Sequence, residues 1–235
     1  HLATGHYARI ERGENGRFLL KKATDLTKDQ SYVLYRMTQK ELSRTVFPLG
    51  GMEKTEVRAL AEEYGFINAK KRDSQDICFV PDGDYAAFIG RRTGSTFDPG
   101  AIVNRDGEVL GRHNGLIHYT IGQRKGLGLS LPSPLYVGKI DPEENEVILV
   151  ENESLFKKRV IVGDFHWING APDMPIAVTC KIRYAHNPSP ALASTYFRDD
   201  RALILFDEPQ RAVTPGQSAV IYSGDKLLGG GVIVG

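Results

Sequence analysis

Cysteine is scarce in this chain: there are two in 235 residues, Cys78 and Cys180, far apart in the sequence. That excludes a disulfide framework. With no CxxC pair and no Cys/His cluster, it also excludes a zinc site of recognised spacing. A reducing, cytoplasmic compartment is the expectation. An excess of charge is missing too. Thirty Lys and Arg stand against 29 Asp and Glu, a net charge of +1, so charge alone announces no nucleic-acid binder and any RNA contact must come from local basic patches. No apolar run approaches the ~18–20 residues of a membrane span, and no membrane partner is expected. The start, His1-Leu2-Ala3-Thr4-Gly5, has neither a basic n-region nor an apolar h-region, and it lacks an initiator Met. It reads as a trimmed terminus or as a domain cut from a longer protein, without a secretory leader. Internal repeats and low-complexity tracts are absent. What remains, 41% hydrophobic and 25% charged residues, is the profile of a soluble globular protein with one large or two ordinary domains.

The pattern along the chain begins with a hairpin. Tyr7-Ala8-Arg9-Ile10 and Arg17-Phe18-Leu19-Leu20 flank the turn-rich Gly13-Glu14-Asn15-Gly16. Breaker-free stretches predict helices over 29–37 and 39–46. A longer helix is predicted from an N-cap at Thr55, because Val57, Leu60, Ala61 and Tyr64 fall at i, i+3, i+4, i+7 and Gly65 suits a C-terminal cap. Asp84 is placed to cap a short helix over 85–91. Strands dominate after residue 100. Ala101-Ile102-Val103 and Glu108-Val109-Leu110 flank Asp106-Gly107, a hairpin signal. The stretches 135–140 and 146–150 flank a Pro-Glu-Glu-Asn turn. From about residue 155 onward, closely spaced short strands with turn punctuation suggest a closed or half-closed barrel. The expected fold is therefore α/β plus all-β in three parts: a mostly helical piece over 1–46, too small for a domain and read as the remnant of another; a small α/β central domain over 47–145; and a C-terminal β-barrel over 146–235.

Candidate chemistry concentrates at a few places. Cys78 follows Lys70-Lys71-Arg72, whose field favours a thiolate, while Asp73 and Asp76 oppose it. The residues leave two readings open: an activated thiol, or a buried cysteine between Ile77 and Phe79. Cys180 alternates with Val178 and Ile182 on one strand face and reads as core. The six histidines show no metal-type spacing; His113 and His118 read as structural or surface residues. Gly122 to Leu129, a Gly-rich run with Arg124-Lys125, fits either a phosphate-holding loop or a tight turn against the core. Arg183-Tyr184 at a strand end offers a phosphate contact and a stacking face, or is an ordinary exposed pair. Lys157-Lys158-Arg159 reads as a solvated face.

Taken in order and spacing, Thr4-Gly5-His6-Tyr7-Ala8, Lys28-Asp29-Gln30-Ser31-Tyr32, Asp73-Ser74-Gln75-Asp76-Ile77-Cys78-Phe79, Gly115 to Leu129, Arg183-Tyr184, Thr214-Pro215-Gly216-Gln217 and Gly229-Gly230-Gly231 resemble the tRNA-specific 2-thiouridylase family, over essentially the whole chain. The resemblance implies ATP-dependent 2-thiolation of the anticodon wobble uridine. A PP-loop domain adenylates the C2 oxygen, and a cysteine persulfide supplies sulfur. It implies that Cys78 carries that persulfide and that Gly5 borders the ATP site. It matches His6, Lys28, Asp29, Gln30, Arg183, Tyr184 and Gln217 to tRNA-contacting positions. The implied co-substrate is ATP with Mg²⁺, with no metal bound to this chain. The implied partners are tRNA and a sulfur-relay protein or cysteine desulfurase as donor, and the implied state is a monomer.

Two parts of the family pattern are not in this sequence: the phosphate-binding Ser-Gly-Gly-x-Asp-Ser loop and the partner cysteine that would form a disulfide with Cys78. The expectation is that these 235 residues alone do not thiolate tRNA. The alternative is a non-catalytic tRNA-binding module. A β-barrel for protein contacts is a third reading, and it expects no salt-dependent tRNA binding.

Overall fold

The computed structural model describes residues 1–70, 80, 83–173, 175–196 and 198–235. Two compact units emerge: His1–Lys71 with Lys158–Pro209 and Thr214–Gly235, and Arg72–Lys157 with Gln210–Val213.

The first unit opens with β1 (Leu2–Ala3) and the hairpin of β2 (Ala8–Arg12) and β3 (Phe18–Lys22). The expected turn closes it. Gly13 N–H donates to Arg17 O at 2.8 Å, the Asn15 side chain accepts from Arg17 N–H at 3.1 Å, and Gly16 takes φ 75°. The helix expected over 29–37 is cut to one 3-10 turn, Ser31–Leu34. The Asp29 carboxylate is the reason: it accepts from Ala23 N–H (3.0 Å), Ser31 N–H (3.2 Å) and the Ser31 hydroxyl (2.9 Å), offering the backbone an alternative to helical bonding. Helix α1 spans Gln39–Leu42 and is capped by Thr38, with a reciprocal bond to Glu41. It ends sooner than expected because Thr45–Val46 forms β4, which pairs in parallel with β1. Helix α2 runs Lys54–Glu63. Its cap is Glu53 rather than Thr55; the Glu53 N–H donates to the Glu56 carboxylate at 2.8 Å. Gly65 closes it at φ 69°. Its apolar stripe is only partly covered, and Leu60 and Tyr64 stay exposed. The first 46 residues are thus less helical than their sequence suggests.

The second unit contains α3 (Tyr85–Thr93), whose expected cap Asp84 accepts from Ala87 N–H at 2.9 Å. Strands β5 (Gly100–Val103), β6 (Val109–His113), β7 (Tyr136–Asp141) and β8 (Glu146–Val150) form a sheet in the order β6-β5-β8-β7. The two expected hairpins, β5–β6 and β7–β8, are antiparallel, and β5 meets β8 in parallel. Ile102, Val137, Val147 and Leu149 form its core, joined by Leu127 from the Gly-rich run.

The expected barrel follows. Its strands are β9 (Phe156–Trp167), β10 (Ile176–Lys181), β11 (Ser189–Tyr196), β12 (Arg198–Arg211), β13 (Ser218–Ser223) and β14 (Lys226–Ile233). The order β13-β10-β11-β12-β9-β14 closes through β13–β14 pairing, giving six strands. Cys180, Ile204, Phe206, Ile221 and Val162 fill it, each at most 1% exposed. The β2–β3 hairpin extends the sheet from β14, where Lys21 pairs with Lys226. Ala8, Leu20, Tyr32, Tyr35 and Leu42 of the N-terminal region share one core with Ile168, Val220, Tyr222 and Leu227 of the barrel.

One irregularity shapes the barrel wall. Asp164 on β9 takes φ 47°, and the β14–β9 register jumps between Gly230 and Val232. This is a β-bulge. The facing glycines are required by it. A Cβ on Gly229 would collide with His166 O, one on Gly231 with Gly163 O, and one on Gly230 would lie 2.7 Å from Ala219 O. Beside the bulge, Phe165 and Trp167 lie side by side on β9, their ring centroids 4.7 Å apart.

Candidate nucleic-acid interface

Three chain segments border an open cleft of about 500 Å³ on the first unit: β3 with the loop after it, the end of β10, and the turn after β10. Lys22, Asp29, Lys181, Tyr184, His186 and Asn187 are among its lining residues. Strand alternation explains β10's contribution. Val178, Cys180 and Ile182 point inward and are buried, so Lys181 is presented outward beside Arg183.

Each cleft lysine lies on tyrosine rings. The Lys181 ammonium sits 5.6 Å from the centroids of both Tyr32 and Tyr184, and Lys22 sits 4.6 Å from that of Tyr222. Tyr32 and Tyr184 meet edge to face at 6.0 Å. Cation–π contacts hold the two charges close to one another at a cost. Burial, aided by the Lys22 charge, pulls the Lys181 ammonium below its ordinary pKa, and only Asp29 works against this. An anion in the cleft relieves that cost. Tyr184 is 48% exposed, so one side of its ring faces solvent. The rings beneath are fixed from behind. Tyr32 donates to Ser218 O at 2.8 Å, and Tyr222 shares a 3.3 Å hydrogen bond with Ser31; burial pushes the Tyr32 phenol up to about 12 and the Tyr222 phenol higher still.

Hydrogen bonds join several of the residues singled out from sequence. Gln30 N–H donates to Tyr7 O at 2.8 Å, and its side-chain oxygen accepts from Tyr7 N–H at 3.0 Å, tying the Gly5-His6-Tyr7 segment to the 28–30 loop. Tyr184 donates to Asp29 O at 3.5 Å. Gln217, exposed, precedes the Ser218 that Tyr32 grips. Lys28 and Arg183 are half-buried neighbours of the cleft-lining residues in the chain. His6 bonds Thr4 at 2.9 Å and meets Phe47 edge-on at 5.9 Å. The side chains of Asp29 and Gln30 are spent on local backbone, so they shape the loop. The sequence reading singles out neither Lys22 nor Lys181. The signal was present in the outward phase of β10, which puts Lys181 next to Arg183.

Cys78, with Lys71, Arg72, Asp73 and Asp76, lies outside the described residues. Cys180 is fully buried in the barrel, and burial pushes its thiol well above the ordinary range. Gly5 is exposed, and a Cβ there would make only an ordinary 3.7 Å contact with Leu49. With one such position and no phosphate loop in the sequence, the described residues do not by themselves make a nucleotide site. Among the described residues no group of three His, Cys, Asp or Glu is placed to hold a metal, and no helix is long and apolar enough to cross a membrane. His113 is structural: Gly115 N–H donates to its Nδ1 at 3.1 Å, leaving Nε2 to bond Asn145 O at 3.0 Å. The Gly122–Leu129 run is a tight loop. Gly122 sits at φ 86°, where a Cβ would lie 2.8 Å from the Ala212 Cβ, while Arg124 and Lys125 are exposed.

Family models described as a tRNA methyl transferase HUP domain, a tRNA methyl transferase PRC-barrel domain and an aminomethyltransferase β-barrel domain match residues 1–82, 86–151 and 157–233 in turn. The chain thus carries, in this order, matches to the three domains of one family. Curated proteins named tRNA-specific 2-thiouridylase MnmA from Geotalea uraniireducens and Halothermothrix orenii are 49% and 47% identical to it, each over 99% of the chain. MnmA 1 of Caldanaerobacter subterraneus is 50% identical, also over 99%. The chain belongs to the tRNA-specific 2-thiouridylase family. It spans 62%, 65% and 64% of those three relatives' lengths.

Proposed function

We propose that the chain is the tRNA-gripping and sulfur-carrying part of a tRNA 2-thiouridylase. The observation that carries this is the cleft where two lysines, held on tyrosine faces, meet the bonded path through Tyr7, Gln30, Asp29 and Tyr184. Arg183, Lys28 and Gln217 contact the tRNA backbone. Tyr184 offers its open face to a base. Asp29 and Gln30 hold the loop that carries Lys28, and His6 and Gly5 continue the surface toward the nucleotide. The substrate's C2 oxygen is a poor leaving group; in the whole enzyme ATP, with Mg²⁺, would adenylate that oxygen with release of pyrophosphate, so that it can depart as AMP.

Cys78 receives sulfur as a persulfide from a relay protein or a cysteine desulfurase. The terminal sulfur bonds to C2 and the C2–O bond breaks with AMP leaving. The persulfide S–S bond is exchanged for a disulfide with a second cysteine. Cys180 does not serve as that second thiol, because it is enclosed in the barrel. The 235 residues alone bind tRNA and do not thiolate it. The HUP and PRC-barrel descriptions speak of methyl transfer; the Asp-Ile-Cys-Phe cysteine favours sulfur transfer.

The test is a thiolation assay on a full-length protein carrying this sequence, with ATP, a sulfur donor and unmodified tRNA. Cys78→Ser is expected to fold, bind tRNA and make no 2-thiouridine. Retained activity removes Cys78 from the reaction. In parallel, Arg183→Ala is expected to weaken tRNA binding and flatten its salt dependence; unchanged affinity across a salt series removes Arg183 from the interface.

A further inference from the structure

A second cleft, of about 690 Å³, opens elsewhere on the first unit between the β2–β3 turn, the loop after β9 and the start of β14. Its size lies within the ~300–1,000 Å³ of small-molecule sites. None of its lining residues belongs to the cleft of Lys22 and Lys181. Trp167, Leu19 and Leu228 line it, all half-buried, and Arg12 and Lys226 bring two cations against the single acid Glu14. Two carboxamides complete the rim. Asn15 spends its oxygen on Arg17 N–H at 3.1 Å, and Asn169 spends its oxygen on Gln39 Nε2 at 3.0 Å. What each still has to offer is an N–H donor. An aromatic floor, two cations and two amide donors suit a flat, acceptor-rich, anionic ligand. Trp167 lies on β9 three residues past the bulge at Asp164 and pairs with Gly229 of β14.

We infer that this cleft holds an unpaired RNA nucleotide, with the base stacked on Trp167, its carbonyl oxygens on Asn15 and Asn169, and the flanking phosphates near Arg12 and Lys226. The site deepens the tRNA-gripping reading: it takes a nucleotide splayed out of a loop or an end, the form in which RNA bases are read.

Trp167 is the one tryptophan in the sequence, so its emission reports on this cleft alone. The whole chain is titrated with single-stranded oligouridylate, with unmodified tRNA and with oligoglutamate, and emission is followed beside the anisotropy of labelled RNA. Saturable quenching by oligouridylate is expected. Asn169→Asp keeps the bond from Gln39 but turns the donor into a carboxylate; it should weaken oligouridylate binding several-fold without changing the melting curve. Trp167→Leu, read by anisotropy, should weaken it by at least about fivefold, the lower end of base–aromatic stacking. If anisotropy shows tRNA bound while emission stays constant with both RNAs, the cleft assignment is overturned and the gripping reading stands. If tRNA does not bind but oligouridylate quenches, the gripping reading fails and the cleft assignment stands. Quenching by oligoglutamate alone, or by nothing, overturns the assignment.

Discussion

Replacing Lys181 by methionine separates two roles of one side chain. The unbranched methionine keeps an apolar stem against Tyr32 and Tyr184, where the lysine now lies, and removes the charge. A volume-conserving change of this kind costs under ~1.5 kcal/mol, and here it also removes an ammonium that burial already disfavours. Folding should therefore survive. RNA binding should not be so tolerant. Each phosphate neutralised gives a slope of about −0.7 to −0.9 in log K against log salt. Across a fourfold change, from about 50 to 200 mM salt, that is roughly 2.6- to 3.5-fold in affinity per contact, and roughly 7- to 12-fold for Lys22 and Lys181 together. Labelled tRNA titrated into wild type, Lys181→Met and the double methionine variant over a salt series should give slopes shallower by about one and then two contacts.

The pH dependence has a definite sign. The folded pKa of Lys181 lies below its ordinary 10.5, so in the window between the two values the unfolded chain binds more protons. Stability attributable to this residue rises with pH there. Its phosphate contact weakens over the same window, and the affinity gap between wild type and Lys181→Met should narrow as pH is raised toward 10.5. A folded Lys181→Met with an unchanged salt slope refutes the reasoning.

Two further outcomes are expected. Gly231→Ala forces a methyl against the backbone oxygen of Gly163 and within 2.9 Å of Cγ1 of the buried, β-branched Val162; urea unfolding should show a loss of ~1–3 kcal/mol, the usual cost of overpacking, and a loss under about 0.5 kcal/mol would mean the bulge relaxes freely. Cys180, enclosed and with its thiol pushed up by burial, should resist iodoacetamide in the native chain and react on unfolding, as peptide mass mapping can follow; native labelling contradicts a closed barrel.

How far the sequence speaks depends on the range of the forces involved. The β2–β3, β5–β6 and β7–β8 hairpins were legible because Gly13–Gly16, Asp106-Gly107 and the turn after Asp141 act locally, and the inward phase of Val178, Cys180 and Ile182 follows from alternation alone. The helix expected over 29–37 fails because the decisive partner of Asp29 is the Ala23 amide, and because Tyr32 is held by Ser218, far along the chain. Thr45 and Val46 become a strand only because Leu2 and Ala3 lie beside them. At the interface, Arg183-Tyr184 could be picked out as a pair. The cleft could not, because Lys22 and Lys181 come together only when the hairpin docks on the barrel.

That docking also sets a schedule. The β2–β3 hairpin is held by Asp225, which bonds Arg9 at 2.8 Å and Lys21 at 3.3 Å and accepts from Lys22 N–H at 2.8 Å, and by the pairing of Lys21 with Lys226. These partners are synthesised roughly two hundred residues after the hairpin, which at about 5–20 residues per second is a delay of roughly 10–40 s. Through that interval Ala8 and Leu20, buried in the finished protein, have no barrel to cover them. An early-made hairpin that waits for a late-made strand gives the nascent chain an exposed, pairing-competent edge.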